Sequence, residues 1–318
     1  MASEGSTRAV VTALGANLAI GVAKFVAAAI TGSASMLAEG VHSVADSANQ
    51  MLLLIGGRRA RRPASVLHPF GYARERYVYA FLVAIILFSL GGLYALYEGY
   101  HKVIDPHPLD SPLVAVIVLL IAACLEGYAL HTAVGEANRT RGGRSWLRFV
   151  RRTRSPELPV ILLEDSAALL GLLLALLGVG LSVLIGNGVF DGIATVGIGA
   201  LLVTVAVLLA VETKSLIIGE SALPEQGAAI EQALISTPGV QRVIHLRTMH
   251  LGPDELLLVA KIGVDADEQA ADVAATIDDA EARVRAAVPT AKVIYLEPDV
   301  YRPNTVSATS PDPAAGAE

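Results

Sequence analysis

Only one cysteine, Cys124, occurs among 318 residues, so neither a disulfide framework nor a multi-cysteine zinc site organises this chain. Charge is scarce too: 17% of residues are Asp, Glu, Lys or Arg, against about a quarter in a soluble domain. No His-Glu-x-x-His run occurs, which removes a zincin-type metalloprotease, and no Gly-x-x-x-x-Gly-Lys loop is present to cradle nucleotide phosphates. The chain is read as neither an enzyme nor an ATP-driven pump. Thirteen arginines cluster in two segments, but they flank the apolar stretches and, apart from Trp146, Phe149 and a few tyrosines, lack interleaved aromatic side chains. Nucleic acid is therefore not an expected partner. No cleavable signal and no Arg- and Ser-rich transit peptide opens the sequence, and a cell (inner or plasma) membrane is the expected location.

What the chain has instead is hydrophobicity, at 53% of residues with a mean hydropathy of +0.56. Apolar stretches of about 20 residues mark candidate membrane spans. They fall at roughly 9–31, 35–56, 77–100, 112–134, 158–185 and 190–212. The link after the second holds Arg58, Arg59, Arg61, Arg62, Arg74 and Arg76; that after the fourth holds Arg139, Arg141, Arg144, Arg148, Arg151, Arg152 and Arg154. Under the positive-inside rule both links, and both termini, are cytoplasmic. Lys24 interrupts the first span and is expected to face a neighbouring helix or to snorkel. Cys124, in the fourth, is expected as a small buried hydrophobe. Glycines in the third span (Gly91, Gly92) and the sixth (Gly192, Gly197, Gly199) allow close backbone approach, within a bundle or between subunits.

The second span is the most informative. Glu39, His42, Asp46 and Asn49 stand at i, i+3, i+7 and i+10, so a helix carries them on one face. An ionisable group in hydrocarbon costs about 2.5–3.5 kcal/mol even on the lenient insertion scale. Such a stripe serves a bound ion or proton, or pairs with neighbouring helices to hold a bundle together. Glu164 and Asp165 near the start of the fifth span are acids of the same kind, although acids also favour the first turns of a helix for its dipole.

From Gly219 onward the balance reverses to a net charge of −9, against +3 before it. The pattern predicts helix at 225–236, strands at 240–250 and 255–264, helix at 267–288 and a strand at 291–296. That order, αββαβ, gives a small α+β domain with helices on one face of a three-stranded sheet. The expected organisation is a six-span membrane helical bundle over 1–218, a cytosolic α+β domain over 219–302, and a disordered tail over 303–318.

Several runs carry a resemblance: Ala38–Asp46 with its His-x-x-x-Asp, His68-Pro69-Phe70-Gly71, Asp191–Leu201, Leu223-Pro224, Pro238-Gly239-Val240 and His245–Thr248. With the span order and the αββαβ tail, they resemble the cation diffusion facilitator family of metal transporters. The runs HPFGYARERYVYAF and LLEDSAALLG are most similar to its branch containing the mitochondrial zinc transporter of animals. The resemblance implies a transported divalent metal and a homodimer with a metallochaperone-like cytosolic domain; an imidazole with carboxylates suits Zn²⁺, and ligands that must shed protons to bind it predict secondary antiport against protons. It implies no resident cofactor. It assigns metal ligation to two residues of span two, matched by His42 and Asp46, and to two of span five. There Glu164 matches the first position, while Ala168 stands at the second. Asp165, Glu39 or water would then complete the shell. Mn²⁺, Co²⁺ or Fe²⁺ transport, and a membrane metal sensor without flux, are the alternatives. In the second family site Tyr72 stands where a histidine partner of His68 is usual. In the cytosolic domain His245 and Glu297 match usual ligands, but Lys261 and Tyr295 replace others, and no formed zinc cluster is expected. His250 is expected on the surface or in the sheet.

Overall fold

The computed structural model describes residues 4–143, 145, 146, 149, 150 and 153–302, with side chains from Asn17 onward except that of Thr140. The chain divides between Ile218 and Gly219 into two compact units.

The first unit is helical. It contains α1 (Glu4–Thr31), α2 (Ala34–Ala60), α3 (Glu75–Ile86), α4 (Tyr94–Ile104), α5 (Pro112–Arg141), α6 (Glu157–Ile185) and α7 (Val189–Ile218). A π-helical stretch, Leu87–Leu93, joins α3 to α4, so the two make one continuous rod. The helix ends follow local chemistry. Ser33 caps α2, its side chain accepting from the Met36 amide. Pro112 opens α5, where a missing amide costs nothing. Gly186 closes α6 at φ 71°, a left-handed conformation that favours glycine. Several helices outrun the apolar windows; α5 continues to Arg141, since basic side chains suit a helix C-terminus.

Four rods are long and apolar enough to cross a membrane: Glu75–Ile104, Pro112–Arg139, Glu157–Ile185 and Val189–Ile218. Within α1 the apolar part among the described side chains is the shorter Asn17–Thr31. The polar stripe of α2, with Arg58 and Arg59 in its last turn, sets that helix apart from the four. Six helical rods are present, four of which qualify by apolar length among the described residues.

α2 sits inside the bundle, against α1, α3 and α6, while α7 packs on α4 and α6. Met36, Leu87, Leu119, Leu172, Ile198 and Leu202 form the core. The glycines act within the unit. A Cβ on Gly99 would stand 2.6 Å from the Val196 amide nitrogen, and one on Gly192 would stand 2.9 Å from that of Val103. α4 and α7 thus touch backbone to backbone. Leu173, Leu177 and Leu184 of α6 look outward, as a hydrocarbon solvent permits. Cys124 is exposed too, contrary to expectation, because its position on α5 lies on that helix's outer face.

The second unit holds α8 (Pro224–Ile235), β1 (Arg242–Gly252), β2 (Glu255–Gly263), α9 (Ala270–Ala287) and β3 (Ala291–Asp299), in the order αββαβ. β1 pairs antiparallel and β3 parallel with the central β2. The parallel pair needs a crossover, which α9 supplies. Leu256, Leu258, Ala260 and Ile262 alternate inward along β2 and meet Ile230 and Leu234 of α8 and Val284 of α9. α9 starts three residues later than the acidic cluster suggests. Asp265 instead closes a turn, its side chain accepting from the Asp267 amide at 3.1 Å. The expected tail from 303 lies outside the described residues, as do Arg144, Arg148, Arg151 and Arg152.

Candidate metal centre

The stripe on α2 is buried along its whole length: Glu39, His42, Asp46 and Asn49 are all shielded. His42 lies about 12 Å along α2 from its first residue at 1.5 Å rise per residue, well inside the bundle. His42 is 1% exposed, and its Nδ1 stands 3.3 Å from Asp46 Oδ1. No hydrogen bond joins the two: both imidazole nitrogens and Asp46 Oδ1 are buried without a hydrogen-bond partner. Buried polar atoms are rarely left so, and each exception calls for a reason.

Glu164 comes to the same place from α6. Its Oε1 accepts from Asn49 Nδ2 at 2.9 Å, and its carboxyl group meets that of Asp46. The α6 backbone explains the approach, because Gly171 and Ala168 keep its inner face low. Above His42, the π-helical stretch turns Gly91 inward, so that a Cβ on it would stand 4.0 Å from Nδ1. Single π turns are frequent at functional sites.

Asp165 stands beside Glu164 on α6. It is half-buried, one step of about 100° round α6 from Glu164, and its neighbouring acids are Glu164 and Glu126. Glu39 is otherwise engaged: Lys24 Nζ donates to its Oε2 at 3.0 Å. Lys24 therefore faces a neighbour rather than snorkelling. Among the described residues, no group of three or more His, Cys, Asp or Glu side chains converges into a formed cage. The arrangement is a His–Asp pair with one oriented glutamate beside it.

Family profiles decide the wider setting. That of the cation efflux transmembrane domain matches residues 10–218, and that of the cation efflux protein cytoplasmic domain matches 223–299. The chain belongs to the cation efflux family. It is similar to the proton-coupled zinc antiporter SLC30A9, mitochondrial, of Mus musculus, at 32% identity over 244 residues. That match covers 76% of this chain and 43% of the mouse protein, so the chain spans less than half the length of this relative. Metal tolerance protein C4 of Arabidopsis thaliana is 29% identical over 259 residues, covering 81% of this chain and 57% of the plant protein. Cation-efflux pump FieF of Pectobacterium atrosepticum is 25% identical over 296 residues, which is 92% of this chain and 93% of that one. This cation efflux family member is a multi-pass membrane protein.

Two charges inside the apolar helices of this family member carry no motif. Lys24, buried in α1, is one. The other is Glu126, half-buried near the middle of apolar α5 and close enough to Lys24, Glu39, Asp46, Glu164 and Asp165 for their charges to be felt. The signal that points to it is its isolation, since an acid about 21 Å from either end of an apolar helix needs a partner.

The secondary sites behave differently. The His68 ring rests on Tyr72 at 4.6 Å between centroids, and Tyr72 hydroxyl bonds Ser65 Oγ at 3.1 Å. In the sheet, His245, Lys261 and Glu297 are direct neighbours across three strands. Lys261 Nζ bonds Glu297 Oε1 at 2.9 Å and Asp299 Oδ2 at 3.1 Å. Hydrogen bonding from Glu297 and then Asp299 raises the Lys261 ammonium above its usual range, and the Lys261 bond holds Asp299 below the usual carboxylate range. His250 is buried in β1, with Nδ1 3.3 Å from the Gly252 carbonyl.

Proposed function

We propose that this chain carries divalent metal cations, Zn²⁺ foremost, across a membrane in exchange for protons, without ATP. The observation that carries the reading is the His42–Asp46 pair, buried in the bundle with both imidazole nitrogens and Asp46 Oδ1 unpartnered. These are donor atoms kept available at an energetic cost. An imidazole with carboxylate oxygens suits Zn²⁺ in near-tetrahedral coordination. The SLC30A9 relative is by name a proton-coupled zinc antiporter, which agrees with that cargo.

In this reading His42, Asp46 and Glu164 take the ion. Asn49 orients Glu164, as partners behind a ligand commonly do. Asp165 and water are the remaining candidates for the fourth position. Ligands must shed protons before they hold a metal, so metal and protons compete for the same atoms. Binding on one side releases protons, and protons arriving on the other displace the metal. The Asp46 and Glu164 carboxyls already meet, so a rotation of α2 against α6 brings the imidazole into the shell. Rocking of one helix group against another then alternates access.

All six rods cross the membrane in this account, with both termini and the basic links cytoplasmic, because the arginines flank the helix ends as the positive-inside rule requires. The cell membrane is the proposed location, and a homodimer paired through the cytoplasmic domain is the proposed assembly. A shell with one imidazole and otherwise carboxylates also admits Mn²⁺, Co²⁺ or Fe²⁺. Because Ala168 stands where the second ligand of span five is expected, a sensor that binds without flux is the second reading. Zn²⁺ uptake into proteoliposomes separates the two. The transporter accumulates Zn²⁺ and His42→Ala does not; binding by the wild type without accumulation selects the sensor.

A further inference from the structure

Lys24 is a charge for which the metal centre has no evident need. It is 0% exposed in α1, and so is Glu39 in α2. Its Nζ donates to Glu39 Oε2 at 3.0 Å and to Ser43 Oγ at 2.9 Å, two side chains on either side of His42 along α2. The pair therefore lies within one helical turn of the imidazole along α2. Desolvating it costs more than replacing it with a well-packed apolar pair.

The geometry of Glu39 is specific. It stands three residues before His42, so their Cβ atoms lie roughly 5–6 Å apart on the same helix face. Its Oε1 is buried with no hydrogen-bond partner. It has room only because Gly171 of α6 lacks a side chain: a Cβ there would stand 2.6 Å from that oxygen. Glu39 is thus within reach of an ion held by His42, with one oxygen free and the other held by a built-in cation.

We propose that Lys24 is a resident counter-cation that withholds Glu39 from the divalent cargo, and by fixing the number of carboxylates around that cargo sets which metal is preferred. The proposal rests on reading His42, Asp46 and Glu164 as the cargo site. With Lys24 in place the cargo meets one imidazole and two carboxylates, whose two negative charges balance a divalent ion. Without it a third carboxylate joins. The shell becomes oxygen-rich and net negative, which suits Mn²⁺ better than Zn²⁺ and slows release. Lys24 is a positioning residue, acting through Glu39.

The test uses the full chain in proteoliposomes, with KM and turnover measured separately for Zn²⁺ and Mn²⁺. Lys24→Met is expected to lower the Mn²⁺ KM relative to that for Zn²⁺ by about tenfold, the smaller of the effects seen when a residue behind a metal shell is changed. Its turnover for both ions falls. Lys24→Arg keeps the wild-type ratio, and the double change Lys24→Met with Glu39→Gln restores it. Glu39→Gln alone leaves an unopposed ammonium beside the cargo and raises both KM values about tenfold without changing their ratio. An unchanged Mn²⁺-to-Zn²⁺ ratio in folded Lys24→Met overturns the proposal and leaves the pair a brace. If Lys24→Met does not accumulate, Glu39→Gln decides, and an unaltered KM there overturns it equally. A wild type that moves neither ion removes the cargo site and this role together, whereas a transporting wild type with an unshifted Lys24→Met removes the Lys24 role alone.

Discussion

Asn49 offers the sharpest single perturbation. It is fully buried on α2, and its side-chain amide donates to Glu164 Oε1 at 2.9 Å. In Asn49→Ala the carboxylate loses that donor and keeps its contact with Asp46. A hydrogen bond to a charged group contributes about 1.5–3 kcal/mol. If that energy orients Glu164 toward the cargo, its loss raises KM for Zn²⁺ by roughly 10- to 150-fold, at 1.4 kcal/mol per factor of ten. Turnover changes far less, because the imidazole and Asp46 remain. The assay is zinc-dye uptake into proteoliposomes over a range of external Zn²⁺, with the melting temperature in detergent as a folding control. A folded Asn49→Ala protein with a KM within twofold of wild type would refute the reasoning, since Glu164 would then not need orienting.

Other parts of the molecule give independent tests. Asp191, at the start of α7, accepts from Ser33 Oγ at 2.8 Å, from the Ala34 amide at 2.7 Å and from the Ser35 hydroxyl; it anchors the N-terminus of α2. Asp191→Ala should lower stability by about 1–3 kcal/mol, read by thermal melting, with the Mn²⁺-to-Zn²⁺ preference unchanged. Gly99→Val should cost about 1–3 kcal/mol or more through overpacking, because its Cβ would stand 2.6 Å from the Val196 backbone; a wild-type melting temperature would contradict the close α4–α7 contact. In the cytoplasmic domain, Lys261→His puts an imidazole between His245 and Glu297, and calorimetry should show Zn²⁺ binding stronger than in the wild type. Lys261→Met should move the Asp299 titration up, toward the ordinary carboxylate range, in an NMR pH series. The stabilisation Asp299 lends through Lys261 is present above that range and is lost as pH falls through its lowered value.

Much of this was legible in the residues, for physical reasons. The stripe Glu39–His42–Asp46–Asn49 stands out because hydrocarbon makes each polar group costly, so spacing alone places all four on one inward face. The αββαβ order follows from the period-two burial of Leu256, Leu258, Ala260 and Ile262 and from the breaks at Pro238-Gly239 and Pro289. Partners across the bundle are harder to read. Nothing local in α1 says that Lys24 turns toward Glu39, since a lysine two turns from a helix end satisfies itself equally well by snorkelling. Glu126 escaped for a related reason: it belongs to no motif, and its meaning comes only from the helices around it. Cys124 shows the limit of composition, because in a bilayer the outer face of a helix is as apolar as the inner. The π-helical stretch beside Gly91 has no sequence signature beyond its paired glycines.

The central claim is that His42 and Asp46 hold a divalent ion that protons displace. The most direct measurement records both species at once, in proteoliposomes with a zinc dye and a pH dye inside. The account predicts that an imposed proton gradient drives Zn²⁺ movement opposite to proton movement. It also predicts that His42→Ala and Asp46→Ala abolish both signals while the proteins remain folded. Zinc flux that persists in His42→Ala, or wild-type flux with no linked proton movement, would contradict it.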